Sequence, residues 1–315
     1  MRIAVAGNQW ITRYLIDALH EAGAAPSLII NMGAHLAERI SGYTDLAEDA
    51  ARMGATLYRP EKYSLVSPQD EAALKKHEID LLLVFGWQRL IPAWLIEHCS
   101  LGAFGVHGGP ELPPRCRGRA VFNWALLLGY KKFHMYAFRL TPGVDDGDIA
   151  GLQSFDILPA DDILTLYHKN CVASTRLFID LIEQAKSGAI ETTPQSQEGA
   201  TYLPKREPDN GGIDWTQSAE RIVDLVRALC PPYPGAFTAL ADERVFIDRA
   251  QVFDSSLTYE GEPGTIADVF PNGDFIVLSS TLPVYVRAWR GTRFSPQRGL
   301  RFEQRSGIPL ADPVL

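Results

Sequence analysis

Cysteine is scarce in this chain. Only Cys99, Cys116, Cys171 and Cys230 occur in 315 residues, scattered and without a CxxC pair. Neither a zinc site nor a disulfide framework is therefore expected, and a reducing cytoplasm is the simplest home. Long apolar runs are also lacking. No run approaches the roughly 18 uninterrupted apolar residues of a membrane span, so no membrane partner is expected. The opening run, Met1 to Gly7, is too short for a signal peptide and reads as a first strand. Basic residues are in deficit: 30 Lys and Arg against 38 Asp and Glu leave a formal charge of −8, with a pI near 5.4. A surface that tracks phosphates wants the opposite sign, so no nucleic acid is expected as partner. GxGxxG is missing from the first strand-to-helix turn, and no GxxxxGK[ST] occurs, which argues against a dinucleotide or a P-loop nucleotide. No internal repeat or low-complexity tract is evident.

What is present is ample core and an alternating pattern. Apolar residues make up 46% of the chain, and its length suits two domains. Residues 2–6, 27–31, 56–58, 81–85 and 103–106 read as strands. Helix-like segments at 10–22, 44–53, 92–99 and the stretch before Asp80 lie between them. That alternation predicts an α/β, Rossmann-like, mostly parallel sheet covered by helices. Residues 163–186 read as one long helix. The polar, turn-rich tract that follows reads as a linker over 191–212, which separates an N-terminal domain (1–190) from a C-terminal one (213–315). In the latter, a helix over 218–230 stopped by Pro231-Pro232 precedes short apolar runs at 245–247, 264–269, 275–278 and 284–289. Asn272-Gly273 is a hairpin signal. The spacing predicts a smaller, mainly β domain, OB-like in class.

Sheets of the first kind bind ligands beyond the carboxyl ends of their strands. Gly7-Asn8-Gln9, Phe85-Gly86-Trp87 and His107-Gly108-Gly109 fall at such ends. His107 on its own is as readily a core histidine as a functional one. Gly108, Gly109 and Pro110 beside it allow close approach of a ligand. Asp145, Asp146 and Asp148 fit a solvated turn, and their spacing does not supply an EF-hand, so no metal is expected. A His at one strand end and an Asp at another are proton-handling groups that folding can bring together. Arg115, Arg117 and Arg119 form a basic cluster suited either to solvent or to an anionic substrate group.

The His107 loop, RGRAVFNWALLLG (Arg117 to Gly129) and VDDGDI (Val144 to Ile149) together resemble the formyltransferases that use 10-formyltetrahydrofolate. FGWQRLIP (Phe85 to Pro92) looks like that family's folate-loop segment. RALCPPYPGAFT (Arg227 to Thr238) and EPGTIADV (Glu262 to Val269) look like its C-terminal region. The nearest subgroups are the sugar N-formyltransferases, including the formyltransferase half of the aminoarabinose-modifying enzyme, with methionyl-tRNA formyltransferase a cousin. The resemblance implies a formyltransferase fold and an attack by an acceptor amine on the formyl carbon, with 10-formyltetrahydrofolate as cosubstrate and no metal. It implies a nucleotide sugar as the small-molecule partner, a place in lipopolysaccharide biosynthesis, and an assembly for which a homodimer stays open. His107 matches the family's catalytic His and Asp145 its Asp. An ionised carboxylate beside imidazole fixes the tautomer and favours the imidazolium. By analogy, Arg89, Leu90, Ile91 and Val144 border the cofactor pocket. Arg117, Tyr202, Lys205 and Arg206 are candidate contacts to the diphosphate, since arginine matches phosphate oxygens bidentately.

One position departs from the pattern. The family's Asn falls at Gly105, which carries no side chain, and the loop from His107 to Arg117 is about two residues longer. Loss of an oxyanion donor costs ~2.7–4 kcal/mol, so either a backbone N–H of Gly108 or Gly109 substitutes, or activity is impaired. Three readings result: sugar-nucleotide formylation, methionyl-tRNA formylation, or a binding homologue that has lost catalysis. The acidic balance and the acidic stretch Thr44 to Ala51, where the tRNA enzyme carries a basic insertion, disfavour the second. The pair Asn123-Trp124 also favours the sugar enzymes.

Overall fold

The structure is a computed structural model that describes residues 1–40 and 42–303. Its first elements in chain order are β1 (Ile3–Ala6), α1 (Trp10–Glu21), β2 (Leu28–Ile30), α2 (Ala47–Met53), β3 (Thr56–Tyr58), α3 (Pro68–Leu74), β4 (Ile79–Val84), α4 (Ala93–His98) and β5 (Cys99–Gly109). They are followed by β6 (Arg117–Gly118), α5 (Val121–Leu127), β7 (Lys132–Arg139), β8 (Ile149–Asp156), α6 (Ile163–Lys186) and β9 (Tyr202–Leu203). The chain ends with α7 (Ala219–Leu229), β10 (Ala236–Leu240), β11 (Glu243–Val252), β12 (Ile266–Val269), β13 (Phe275–Val277) and β14 (Val284–Arg290).

A seven-stranded sheet runs in the order β3-β2-β1-β4-β5-β7-β8. The register is parallel from β3 to β5, with Ala4 against Leu28, Ile3 against Leu81 and Leu82 against Ala103. Strands covered on both faces read as continuous apolar runs. Accordingly β1 is IAVA, buried throughout, and β4 is IDLLLV with Leu81, Leu82 and Leu83 buried. The predicted α/β sheet is therefore present. The main departures are at element ends. β5 begins at Cys99 and continues to Gly109, not 103–106, because its parallel pairing with β4 starts at Ile79–Cys99. α2 begins at Ala47 and not at Thr44, because the chain ahead of it is held elsewhere. The Thr44 N–H donates to the Asn8 carbonyl at 2.7 Å, and the Leu46 N–H donates to Asn31 Oδ1 at 3.1 Å. Those bonds fix residues 44–46 outside the helix.

β10-β11-β14-β13-β12 form a five-stranded antiparallel sheet, the predicted mainly β domain. The Asn272-Gly273 turn joins β12 to β13, which pair Val269 with Phe275. Trp215 stacks on Phe302 with ring centroids 5.8 Å apart, and Phe275, Phe294 and Trp289 close the aromatic core around them. Ser218 caps α7, its Oγ accepting from the Arg221 N–H at 3.3 Å.

The chain divides into two compact units. One comprises Met1–Gly108, His134–Phe155 and Lys169–Ala200; the other comprises Gly109–Phe133, Asp156–His168 and the described residues from Thr201 onward. Gly108 and Gly109, at the end of β5, mark one of the crossings.

Candidate active site

His107 lies near the end of β5, two residues past Gly105 and so on the same face of the strand. Its Nδ1 is 3.5 Å from Oδ2 of Asp145, and both side chains are mostly shielded from solvent. On the other side of the ring, Nε2 is buried and has no hydrogen-bond partner among the described residues. Buried polar atoms are almost always paired. A buried ring nitrogen without a partner, on a histidine whose other nitrogen faces a carboxylate, is an arrangement suited to receiving a proton from a bound molecule. The edge of the Tyr136 ring packs against the imidazole, with centroids 5.8 Å apart and planes at 69°.

Asp145 is held by an unusual backbone. Its φ is 52°, in the left-handed region, which Asp tolerates better than most residues. Around it the turn is braced. Thr141 Oγ1 donates to Asp146 Oδ1 at 2.5 Å and accepts from the Gly143 N–H at 3.1 Å. Gly147 is required, since a Cβ there would collide with the Arg139 carbonyl. The amide of Gln195 donates to the carbonyls of both Asp145, at 3.2 Å, and Gly147, at 3.0 Å. Gln195 was not singled out by the sequence. It sits in a polar tract, and nothing in the local pattern distinguishes a clamp from a solvated glutamine. Tyr136 was legible in principle, because His134, Tyr136 and Phe138 share one face of an alternating strand.

At Gly105 the structure shows what fills the place of the missing side chain. A Cβ built there would stand 3.0 Å from Leu140 Cδ2 and 3.5 Å from Phe138 Cζ. The position faces apolar side chains.

The segment expected to border the cofactor has a graded exposure. Trp87 is buried, Gln88, Arg89 and Leu90 are exposed, and Ile91 is buried again. Tyr63 anchors this run: its Oη accepts from the Gln88 N–H at 2.9 Å and its ring meets Trp87 edge-on at 4.9 Å. The Arg89 guanidinium lies over the Tyr63 ring, 5.0 Å from its centroid. Val144, beside Asp145, is half exposed.

The expected diphosphate contacts lie in the other unit. β6 and β9 pair in parallel, setting Arg117 against Tyr202. Arg117 is fully buried and its Nη1 donates to Tyr202 Oη at 3.3 Å. Tyr202 itself is 56% exposed. Lys205 is exposed and pairs with Glu207 at 2.6 Å. The Arg206 guanidinium lies 5.0 Å from the Trp124 ring centroid and donates to the Asn210 carbonyl at 2.7 Å. Burial lowers the pKa of Arg206 from its usual value. The structure thus brings His107 to Asp145 within one unit and Arg117 to Tyr202 within the other.

No cluster of three or more His, Cys, Asp or Glu side chains suited to a metal ion exists among the described residues. All four cysteines are free and buried. Burial pushes the thiols of Cys99 and Cys171 up to about 12 and that of Cys230 up to about 11. No described helix is long and apolar enough to cross a membrane.

Residues 1–182 match the family described as formyl transferase, and residues 205–288 match the formyl transferase C-terminal domain. Among solved structures, HypX from Aquifex aeolicus in complex with tetrahydrofolic acid is 17% identical with a TM-score of 0.67, over 93% of this chain and 44% of that one. The chain therefore spans less than half the length of HypX. An N-formyltransferase from Helicobacter canadensis, in complex with folinic acid and dTDP-3-aminofucose, is 14% identical with a TM-score of 0.63, over 91% of this chain and 99% of that one. Methionyl-tRNA formyltransferase from Clostridium thermocellum is 18% identical with a TM-score of 0.55, over 81% and 95% of the two chains. At such identities the structural likenesses speak for the fold alone.

Proposed function

The chain belongs to the formyl transferase family, and on that premise we propose that it moves a formyl group from 10-formyltetrahydrofolate to the amine of a nucleotide-linked amino sugar. The observation that carries the chemistry is the His107–Asp145 pair, 3.5 Å apart, with the far ring nitrogen buried and unpartnered. The donor would supply a one-carbon group at the oxidation level of formate, bound to nitrogen. The acceptor amine must lose a proton as the new C–N bond forms and the bond to the donor nitrogen breaks. Nε2 of His107 takes that proton and returns it to the departing donor nitrogen, while Asp145 at Nδ1 steadies the imidazolium in between. The exposed run Gln88-Arg89-Leu90, flanked by buried Trp87 and Ile91, offers backbone groups and an apolar edge to a pterin, and the exposed Val144 beside Asp145 offers a second apolar group.

With Gly105 in place of the family's Asn and apolar side chains filling the space around it, polarisation of the formyl oxygen falls to other donors. Backbone N–H groups of Gly108 and Gly109 beside His107 are the nearest in sequence. Electrostatic donors of this kind supply a large share of catalysis in acyl transfer.

The nucleotide sugar is the acceptor that the charge balance favours over tRNA. The net charge is −8, and Asp45, Glu48 and Asp49 stand where a basic insertion would help an RNA. In that stretch Asp49 is engaged by Arg13 at 2.9 Å and Arg52 at 3.0 Å. Tyr202, Lys205 and Arg206 are the diphosphate contacts of this proposal, with the buried Arg117 acting on phosphate through Tyr202. Titration calorimetry with thymidine and uridine diphosphates, their 3-amino and 4-amino sugars, and methionyl-tRNA tests the ranking. Binding of a diphosphate sugar without measurable tRNA binding supports it. Tight tRNA binding with none of the sugars reverses it.

A further inference from the structure

The turn that carries Asp145 is braced both from within and from a distant segment. It contains a left-handed Asp145, φ 52°, followed by Asp146 and Gly147, and its own side-chain bonds run between Thr141, Gly143 and Asp146. None of those reaches the backbone of Asp145. That backbone is reached from a distant part of the chain, the strand-like segment after α6. There Thr193 exchanges both backbone hydrogen bonds with Ile149, each 2.8 Å. Two residues on, the Gln195 amide places its N–H group between two carbonyls of the turn, Asp145 at 3.2 Å and Gly147 at 3.0 Å. A single –NH₂ carries two donors, so this one side chain ties both flanks of Asp146 together and fixes the carbonyl of the residue that faces His107.

We propose that Gln195 is a positioning residue: it holds Asp145 against Nδ1 of His107 and thereby sets the tautomer that leaves Nε2 free to accept a proton. The inference rests on the proposed roles of His107 and Asp145. The physical need is clear. A left-handed non-glycine residue is disfavoured on its own and persists only where its surroundings over-determine it. The carboxylate stands 3.5 Å from the ring nitrogen, already beyond the ~2.7–3.2 Å of an ordinary N–H···O bond, so any outward shift of Asp145 separates the pair. Rotation of the peptide at Asp145 swings its side chain out of reach. The Thr193–Ile149 pairing delivers Gln195 to the turn, so the segment 193–195 acts as a strap whose end grips the turn by its backbone carbonyls.

The test uses the free protein, with ring-¹⁵N-labelled histidine, and needs no acceptor. Nitrogen NMR at a pH above the imidazole range reports which ring nitrogen of His107 carries the proton, with His107→Asn used to assign the signal. Wild type is expected to show one dominant form, protonated at Nδ1. Asp145→Asn should convert it to a mixture. Gln195→Ala should give a similar mixture, and Gln195→Glu, which keeps the length but has no donor when ionised, should behave like Gln195→Ala. Adding Gln195→Ala to Asp145→Asn should change nothing further, since the glutamine acts only through the carboxylate. If Gln195→Ala unfolds in calorimetry, the near-isosteric Gln195→Glu carries the test. A wild-type signal in both Gln195 variants, with Asp145→Asn altered, overturns the inference and leaves the His107–Asp145 pair standing. A wild-type signal in Asp145→Asn as well overturns the pair itself, and the inference with it.

Discussion

Leu140 Cδ2 stands 3.0 Å from where a Cβ on Gly105 would lie, with Phe138 close behind it. The position that faces the reacting region in a family pattern of Asn-x-His is here packed with hydrocarbon. A side chain added at Gly105 has to displace the end of Leu140 and bury an amide among apolar neighbours. Gly105→Asn should therefore lower stability by about 1–3 kcal/mol, the usual range for overpacking, and should not raise turnover. Shortening the neighbour as well, in Gly105→Asn with Leu140→Ala, should recover part of the loss. Thermal unfolding and turnover of the two variants decide the matter. A single variant that is both stable and faster than wild type would mean that the glycine impairs the enzyme.

His107→Asn and Asp145→Asn should each reduce kcat by about 10²–10⁴, the range of general acid–base catalysis. The fold should be retained, since neither residue is part of the sheet's apolar core. The pH profile of turnover in wild type should carry a limb from an imidazole, absent in His107→Asn. Near wild-type turnover in both variants would remove the pair from the chemistry.

In the proposed function Tyr202 contacts the diphosphate and Arg117 supports Tyr202, and substitutions separate the two roles. Tyr202 is exposed and Arg117 is fully buried, with the guanidinium donating to the phenol at 3.3 Å. Tyr202→Phe should raise KM for the nucleotide acceptor several-fold while leaving kcat and stability near wild type. Arg117→Ala should raise KM and also destabilise by about 2–4 kcal/mol, because it leaves a cavity and unpaired groups. Steady-state kinetics beside calorimetric melting reads both. Identical, purely kinetic effects would contradict the assigned division.

Three of the four cysteines supply a prediction on pH. In the folded chain burial raises Cys99 and Cys171 to about 12 and Cys230 to about 11, against an unfolded value of ~8.5. A raised folded value means that this contribution to stability is fully present below ~8.5 and is lost as pH rises from there through 11 to 12, because the unfolded chain then binds fewer protons. Denaturant midpoints should fall steadily over that interval. Iodoacetamide at pH 8.5 should label the unfolded chain and leave the native one unmodified. Rapid native labelling would show that a thiol is reachable and ionised.

Much of this was legible in the sequence, for reasons that differ by element. β1 and β4 announced themselves as fully apolar runs, and α6 by a long amphipathic period. The turn at Asn272-Gly273 was fixed by local chemistry alone. His107 and Asp145 could be paired only through a family resemblance, since 38 positions separate them and no spacing rule links a strand end to a distant turn. The start of α2 is not legible locally because Asn8 and Asn31, just past the ends of β1 and β2, capture the backbone of Thr44 and Leu46. Gln195 was invisible for the same reason: its partners are carbonyls some fifty positions away, and backbone carbonyls leave no mark in a sequence.

In the proposed function an acceptor amine on a nucleotide sugar receives the formyl group with His107 as the proton acceptor. One measurement addresses it most directly: mass-spectrometric detection of product in parallel reactions holding 10-formyltetrahydrofolate and either a set of thymidine- and uridine-diphosphate amino sugars or methionyl-tRNA, each with wild type and with His107→Asn. Wild type is expected to add one formyl group to an amino sugar, the variant none, and both to leave the tRNA unmodified. Formylated methionyl-tRNA with untouched sugars, or equal sugar product from wild type and His107→Asn, would contradict it.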